Sequence, residues 1–374
     1  MRIALMTDSY FPTRDGVVTA VVTMRQALEE LGHTVFIIAP DPGEEHREEG
    51  VHYFRSIRFK RYPEYLIPIF PSNKRELIRS LNVDVIHIFG IAFMALKGLM
   101  VSRSTKVPSV MTYCTNVVDA MGFYSPLPLP IDIQERLAWI YLRNLLRRPK
   151  CVIALTPATI SEFELKKVRT KSTEIIPVGI DISRFKDGID GSFVTERHAL
   201  VGKRVAIHVG RVSFEKNISL VVKAMALLPD DVALLIVGRG PASDSLKELV
   251  EREGLSKKVI FTGFVPDEEL PSYYAASDIV VSASRFETQG LTIIEAMACG
   301  TPAACSNGRA FLDIIQDGVN GCLFEDSPES CADAMLRCLN GKDMLSKNSR
   351  GTAEEYSMES VGRKLEKAYG KIIK

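Results

Sequence analysis

The chain has 374 residues, 46% of them hydrophobic and 25% charged, which suits a soluble globular protein and is too much for one ordinary core, so two domains are expected. Its net charge of +1 supplies no global field toward nucleic acid or a membrane; any such attraction is local, and no nucleic-acid partner is expected. The seven cysteines are scattered, odd in number and without a C-x-x-C pair, which argues against a disulfide framework or a zinc site and fits a reducing cytoplasm.

The first expected strand, Ile3–Met6, is too short an apolar run for a signal peptide, and no stretch approaches the length needed to span a bilayer. Further strands are expected at Val35–Ala39, Val85–Ile88, Ser109–Met111, Val152–Leu155 and Glu174–Ile176. In the second half they fall at Val205–Val209, Ala233–Val237, Val259–Phe261, Ile279–Ser282, Pro302–Cys305 and Gly321–Phe324. Short continuous apolar runs suit strands buried on both faces of a parallel sheet. Amphipathic helices lie between them: Thr23–Leu31 stops at Gly32, Ser243–Glu253 stops at Gly254, and Asp267 precedes a helix holding Tyr273 and Tyr274. The alternation predicts an α/β chain of doubly wound sheets, with ligands beyond the carboxyl ends of the strands. The turn-rich stretch from Pro177 to Lys203 marks the break, giving domains at 1–178 and 179–357; a last helix, about 358–374, is free to pack back on the first.

Three stretches carry candidate chemistry. Ser284 to Pro302 reads S-R-F-E-T-Q-G-L-T-I-I-E-A-M-A-C-G-T-P and turns from a strand into a helix that stops at Gly300. The first-turn amides of Gly290, Leu291 and Thr292 are free to bind phosphate, and Gly290 permits close approach of a ligand. Glu287 and Glu295 flank that helix start; the ordinary alternative makes Glu287 an acidic cap and Glu295 a surface acid. His208 to Asn217, H-V-G-R-V-S-F-E-K-N, sets Arg211 and Lys216 after a strand, where two cations can neutralise a leaving diphosphate or simply be solvated. Asp8 to Val18 lacks a G-x-G-x-x-G, yet Pro12 and Gly16 suggest a shaped loop. His87 and His208 lie in expected strands and read as satisfied core histidines, and Cys114 reads as a small buried residue.

With these motifs the chain resembles the retaining GT-B glycosyltransferases of family 4 over nearly its whole length. The specific matches are Glu287-x7-Glu295 followed by A-M-A-C-G-T-P, and H-V-G-R-x-x-x-E-K-N; V-G-R-G-P at 237–241 and F-T-G-F-V at 261–265 also fit. The resemblance implies two Rossmann-like domains facing each other across a cleft. It implies that Arg211 and Lys216 hold the donor diphosphate, and that Glu287 bonds donor sugar hydroxyls. Glu295 would bond the ribose, the amides near Gly290, Leu291 and Thr292 would touch phosphate, and Val265 would lie near the base. Gly16 would face the diphosphate from the other domain. It further implies a retaining, metal-independent hexosyl transfer without a cofactor.

One departure stands out: T-Y-C-T puts Cys114 where the family usually carries a histidine beside a threonine, here Thr115. F-P-x-x-x-G-V at 11–17, T-Y-x-T at 112–115 and E-T-Q-G-L-T at 287–292 look closest to diacylglycerol glucosyltransferases. That likeness implies glucose from a UDP-linked donor, a lipid acceptor, and a cytoplasmic protein with a peripheral place on the inner membrane face. The cationic and aromatic run from Tyr53 to Tyr62 and the basic cluster Arg143, Arg147, Arg148 and Lys150 agree with a membrane surface, and Phe123 to Ile133, with three prolines, with an acceptor groove. Solvated faces on an enzyme with a soluble or polyisoprenyl-linked acceptor are the alternative. A non-catalytic binding protein of two lobes also stays open, whereas a nucleotide-sugar epimerase or a nicotinamide dehydrogenase fits the motifs less well.

Overall fold

A computed structural model describes residues 1–13, 15–59, 62–69, 74–114, 130–285 and 287–373. The chain divides into two compact units, Met1–Gly179 with Met358–Lys374, and Ile180–Ser357. The division falls inside the turn-rich stretch 177–203. Among the described residues no helix is long and apolar enough to cross a membrane.

The first unit holds β1 (Arg2–Thr7), β2 (Thr34–Pro40), β3 (Val51–Phe54), β4 (Ser56–Phe59), β5 (Tyr62–Pro68), β6 (Val85–Phe89), β7 (Ser109–Tyr113), β8 (Cys151–Ala154) and β9 (Thr173–Ile175). Seven of these form a parallel sheet in the order β3-β2-β1-β6-β7-β8-β9, while β4 and β5 make a separate antiparallel pair. Strand β3 corrects the reading of 53–62 as a surface segment throughout. Val51–Phe54 pairs with β2 and buries Phe54 at 1% exposure in the hydrophobic core of this unit. Arg55, Ile57 and Arg58 of the same run stay exposed.

The helix after β1 spans Gly16–Glu30, starting earlier than Thr23. Its opening G-V-V-T is poor in helix formers, but Asp15 caps it by accepting from Val17 and Val18 N–H, each at 2.9 Å. Val18, Val21, Met24 and Leu28 then bury one face, so tertiary packing outweighs propensity. The last helix, Met358–Ile373, belongs to this unit. It buries Val361, Leu365, Ala368 and Tyr369, and the Tyr369 hydroxyl meets His87 Nδ1 at 2.6 Å. Gly362 lets it approach the Gly16–Glu30 helix: a Cβ there would lie 3.0 Å from the Ala27 carbonyl oxygen.

The second unit holds β10 (Arg204–Val209), β11 (Val232–Val237), β12 (Val259–Gly263), β13 (Ile279–Ser282), β14 (Ala303–Ser306) and β15 (Gly321–Phe324), all parallel in the order β12-β11-β10-β13-β14-β15. Its sheet is buried on both faces. In β11, Val232, Leu234 and Ile236 pack into one core while Ala233, Leu235 and Val237 pack into the other. That double burial is why the strands read as unbroken apolar runs.

Candidate active site

In the second unit the strand order reverses between β10 and β13. The loops that leave these two neighbours part there, and a parallel sheet opens its ligand crevice at that point, beyond the carboxyl ends. The loop after β10 carries Arg211 and Lys216; the loop after β13 carries Glu287. Lys216 Nζ donates to Glu287 Oε1 in an ion pair that joins the two loops, with side chains 25% and 20% exposed. Glu287 is therefore not the cap of the following helix: Gly290 holds that position and no side chain caps it.

Each loop has a local reason for its shape. After Gly210 the short turn Phe214–Lys216 ends at Asn217 in the left-handed region, φ 51°, from which helix Ile218–Met225 departs. Asn217 tolerates that backbone because its short side chain can bond locally. Arg211 is exposed beside this turn, and Ser213 Oγ donates to Glu215 Oε1 at 2.6 Å. After β13, Gly290 adopts φ 86°, and a Cβ there would come within 2.8 Å of the Phe311 ring. The helix Leu291–Ala298 begins directly beyond it, with Leu291 and Thr292 half-buried and its first-turn amides at the carboxyl edge.

Glu295 is no surface acid. It lies inside that helix, half-buried, and accepts a hydrogen bond from the Tyr274 hydroxyl at 2.9 Å. Burial pushes its carboxyl up to about 7, against the Tyr274 bond and the charge of Arg184, which pull it down; Asp267 raises it further. A carboxyl that binds a proton more tightly folded than unfolded loses stability as pH rises from its ordinary value of 4.5 to about 7. Glu295→Gln keeps an acceptor for Tyr274 and removes this loss. The variant is expected to melt with wild type at pH 5 and above it at pH 8; a difference independent of pH would contradict the assignment.

His208, at the end of β10, corrects one expectation. His87 is satisfied on both nitrogens, by Tyr369 and by Thr112 Oγ1, each at 2.6 Å. His208 Nδ1 meets the Val281 carbonyl at 3.2 Å, but among the described residues its buried Nε2 has no partner. Burial pushes its pKa down to about 4, the Val281 bond raises it, and the charges of Lys216 and Glu287 act in opposite directions. The neutral ring then carries its proton on Nδ1 and leaves Nε2 an acceptor beside the ion pair.

The remaining candidates are placed as follows. Val265 is 8% exposed and packs into the core of the second unit. Gly16 lies in the first unit, exposed at the start of its helix, with nothing among the described residues within 4 Å of a Cβ. Cys114 is half-buried just after β7; Thr115 and residues 123–129 of the expected acceptor segment lie outside the described residues. Arg143, Arg147, Arg148 and Lys150 are exposed.

Several contributors escaped the sequence reading. Tyr274 and Arg184 act on Glu295 from distant positions, and nothing local announces that. Asp8, at the end of β1, accepts from the amides of Ala92 and Met94 at 2.8 and 2.7 Å, tying the loops after β1 and β6 together at the first unit's own strand-order reversal. Burial raises its carboxyl to about 6 despite both amide bonds. Gly238 and Gly240 pack directly on the Gly210–Val212 backbone. Two glycines after a buried strand were a usable signal of close approach.

Comparison with known proteins matches residues 14–184 to the family described as Glycosyltransferase Family 4 and residues 195–355 to Glycosyl transferases group 1. An alpha-monoglucosyldiacylglycerol synthase of Streptococcus pneumoniae is 29% identical over 99% of this chain and 85% of its own length. A GDP-mannose-dependent alpha-mannosyltransferase of Corynebacterium glutamicum is 25% identical over 100% of this chain and 89% of its own. Among solved structures, Anabaena HepE in complex with UDP superposes with a TM-score of 0.81 at 20% identity, covering 99% of this chain and 100% of that one. This likeness shows the two-domain GT-B fold. The two family matches take in most of the chain, one on each unit, and the chain belongs to the glycosyltransferases of family 4 and group 1.

Proposed function

We propose that the chain is a retaining, metal-independent hexosyltransferase that carries glucose from UDP-glucose to a diacylglycerol-type lipid. The observation that carries the donor part is the Lys216–Glu287 pair, set where the second sheet reverses its strand order. Arg211 and Lys216 hold the diphosphate, with the amides of Gly290, Leu291 and Thr292 on its oxygens. Glu287 orders the sugar hydroxyls, Glu295 the ribose, and Val265 borders the base through its backbone. The bond from the anomeric carbon to the phosphate oxygen breaks as the acceptor hydroxyl bonds to that carbon on the same face. The hydroxyl proton passes to the departing phosphate oxygen. Cations and amides stabilise the charge that grows there, so no metal is needed. The S. pneumoniae relative supports glucose and a diacylglycerol acceptor. A lipid acceptor also implies a cytoplasmic protein resting on the inner membrane face.

The C. glutamicum relative favours a second donor, GDP-mannose, and one measurement separates the two. A ligand of the folded state alone raises the melting temperature. UDP and UDP-glucose are expected to raise it in the presence of EDTA, with GDP, ADP and GDP-mannose inert; a shift with GDP-mannose alone replaces the donor. No shift with any nucleotide would end the donor reading. Transfer to diacylglycerol vesicles, with the anomeric configuration read by NMR, then tests acceptor and retention.

A further inference from the structure

A pocket of about 950 Å³ lies wholly within the first unit, at the amino edge of its sheet. Ser109 begins β7 there, and Lys150 directly precedes β8. The carboxyl ends of helices Phe93–Thr105, Ile131–Leu146 and Met358–Ile373 close around it. The loops that carry Asp8 and Gly16 leave from the opposite, carboxyl edge.

Among the described residues six cations line this pocket, Arg103, Lys106, Arg147, Arg148, Lys150 and Lys171, and no carboxylate side chain does. Among the described residues none of the six pairs with an acid; Lys171 Nζ donates to the Arg148 carbonyl at 2.7 Å. Some cations elsewhere, among them Arg204, Arg337, Arg350 and Arg363, each face a carboxylate. Helix carboxyl ends attract positive charge, which accounts for about one cation per helix. The rest repel one another in a concavity, an arrangement that an anion relieves. The wall is also apolar: Met100 is 61% and Ile373 41% exposed, with Val107 between the basic positions.

We propose that this pocket is a second ligand site of the protein, which takes a phosphate group. Arginines 103, 147 and 148 present planar donor forks suited to phosphate oxygens, and Lys106, Lys150 and Lys171 add point charge. The phosphate comes from a soluble phosphate or from the headgroup of an anionic lipid. The site is independent of the donor reading, since none of its residues belongs to the second unit.

The test uses the full chain. Inorganic pyrophosphate is titrated calorimetrically with saturating UDP present to occupy a donor site. In parallel, the protein is sedimented with vesicles of phosphatidylglycerol in phosphatidylcholine and with phosphatidylcholine alone. At least one anionic probe is expected to bind, and Arg147→Glu with Arg148→Glu to weaken it about tenfold or more. Lys247→Glu with Arg252→Glu, an equal charge change in the second unit, is expected to leave binding unchanged. Binding of pyrophosphate alone identifies a soluble phosphate, and of phosphatidylglycerol alone a lipid headgroup. Absence of binding to both, or equal weakening in both double variants, overturns the site. All six cations are exposed, so the fold is expected to survive. Lys106→Gln with Lys150→Gln provides the same comparison should the arginine variant unfold. The comparison between variants isolates the pocket whether or not UDP binds elsewhere.

Discussion

Replacing Lys216 by alanine is expected to lower kcat by about 10²–10³-fold, the loss typical of removing one preorganised group that stabilises transition-state charge. In the proposed metal-independent reaction the leaving group is a diphosphate, and the charge that develops on it is met by Arg211 and Lys216. Glu287 pairs with Lys216 and restrains its long flexible side chain in one place, which suits the proposed role. Loss of the ammonium also leaves Glu287, only 20% exposed, without its partner. The double variant Lys216→Ala with Glu287→Ala separates these effects. Were the pair structural only, removing both partners would restore the melting temperature and the rate together. With the proposed roles, stability recovers while kcat stays low. A single variant with near-normal kcat at saturating UDP-glucose would remove Lys216 from the site.

Gly238→Ala is expected to destabilise the second unit by about 3 kcal/mol, which for a domain of this size lowers its melting temperature by roughly 6–12 °C. Gly238 has φ 130°, a region closed to side chains, and a Cβ would stand 1.9 Å from the Gly210 carbonyl oxygen. Backbone atoms cannot rotate out of the way as a side chain can. The Gly210 amide donates to the Val237 carbonyl at 3.0 Å, so the loop that carries Arg211 is pinned against this turn. The methyl pushes that loop, and donor affinity is expected to fall with stability. Gly254→Ala is the control: its φ is 69°, yet nothing lies within 4 Å of a Cβ. It should cost only the left-handed backbone penalty, about 1 kcal/mol, and leave donor binding unchanged. Equal losses in the two variants would show that conformation, and not the close approach to Gly210, sets the cost.

Much of the second unit was legible because its strands are short apolar runs and its helices end at glycines. Ile279–Ser282 and Gly321–Phe324 were read with their observed bounds. The hairpin β4–β5 and strand β3 were not read as strands, since their alternation is mixed with basic and aromatic residues. Edge strands carry weaker signals than central ones because only part of their surface is buried.

By itself the sequence determined the alternating α/β plan, the loops at strand ends that hold Arg211, Lys216 and Glu287, and membership of the glycosyltransferase family. These rest on periodicity and on residues close together in the chain. Only the tertiary structure decided the strand orders, and hence that β10 and β13 are neighbours whose loops bring Lys216 to Glu287. It alone decided that Tyr274 reaches Glu295, that His208 keeps a buried nitrogen without a partner among the described residues, and that helix Met358–Ile373 returns to the first unit. Such facts depend on contacts between residues far apart in sequence, whose energies come from burial and hydrogen bonding in the folded chain and leave no local trace.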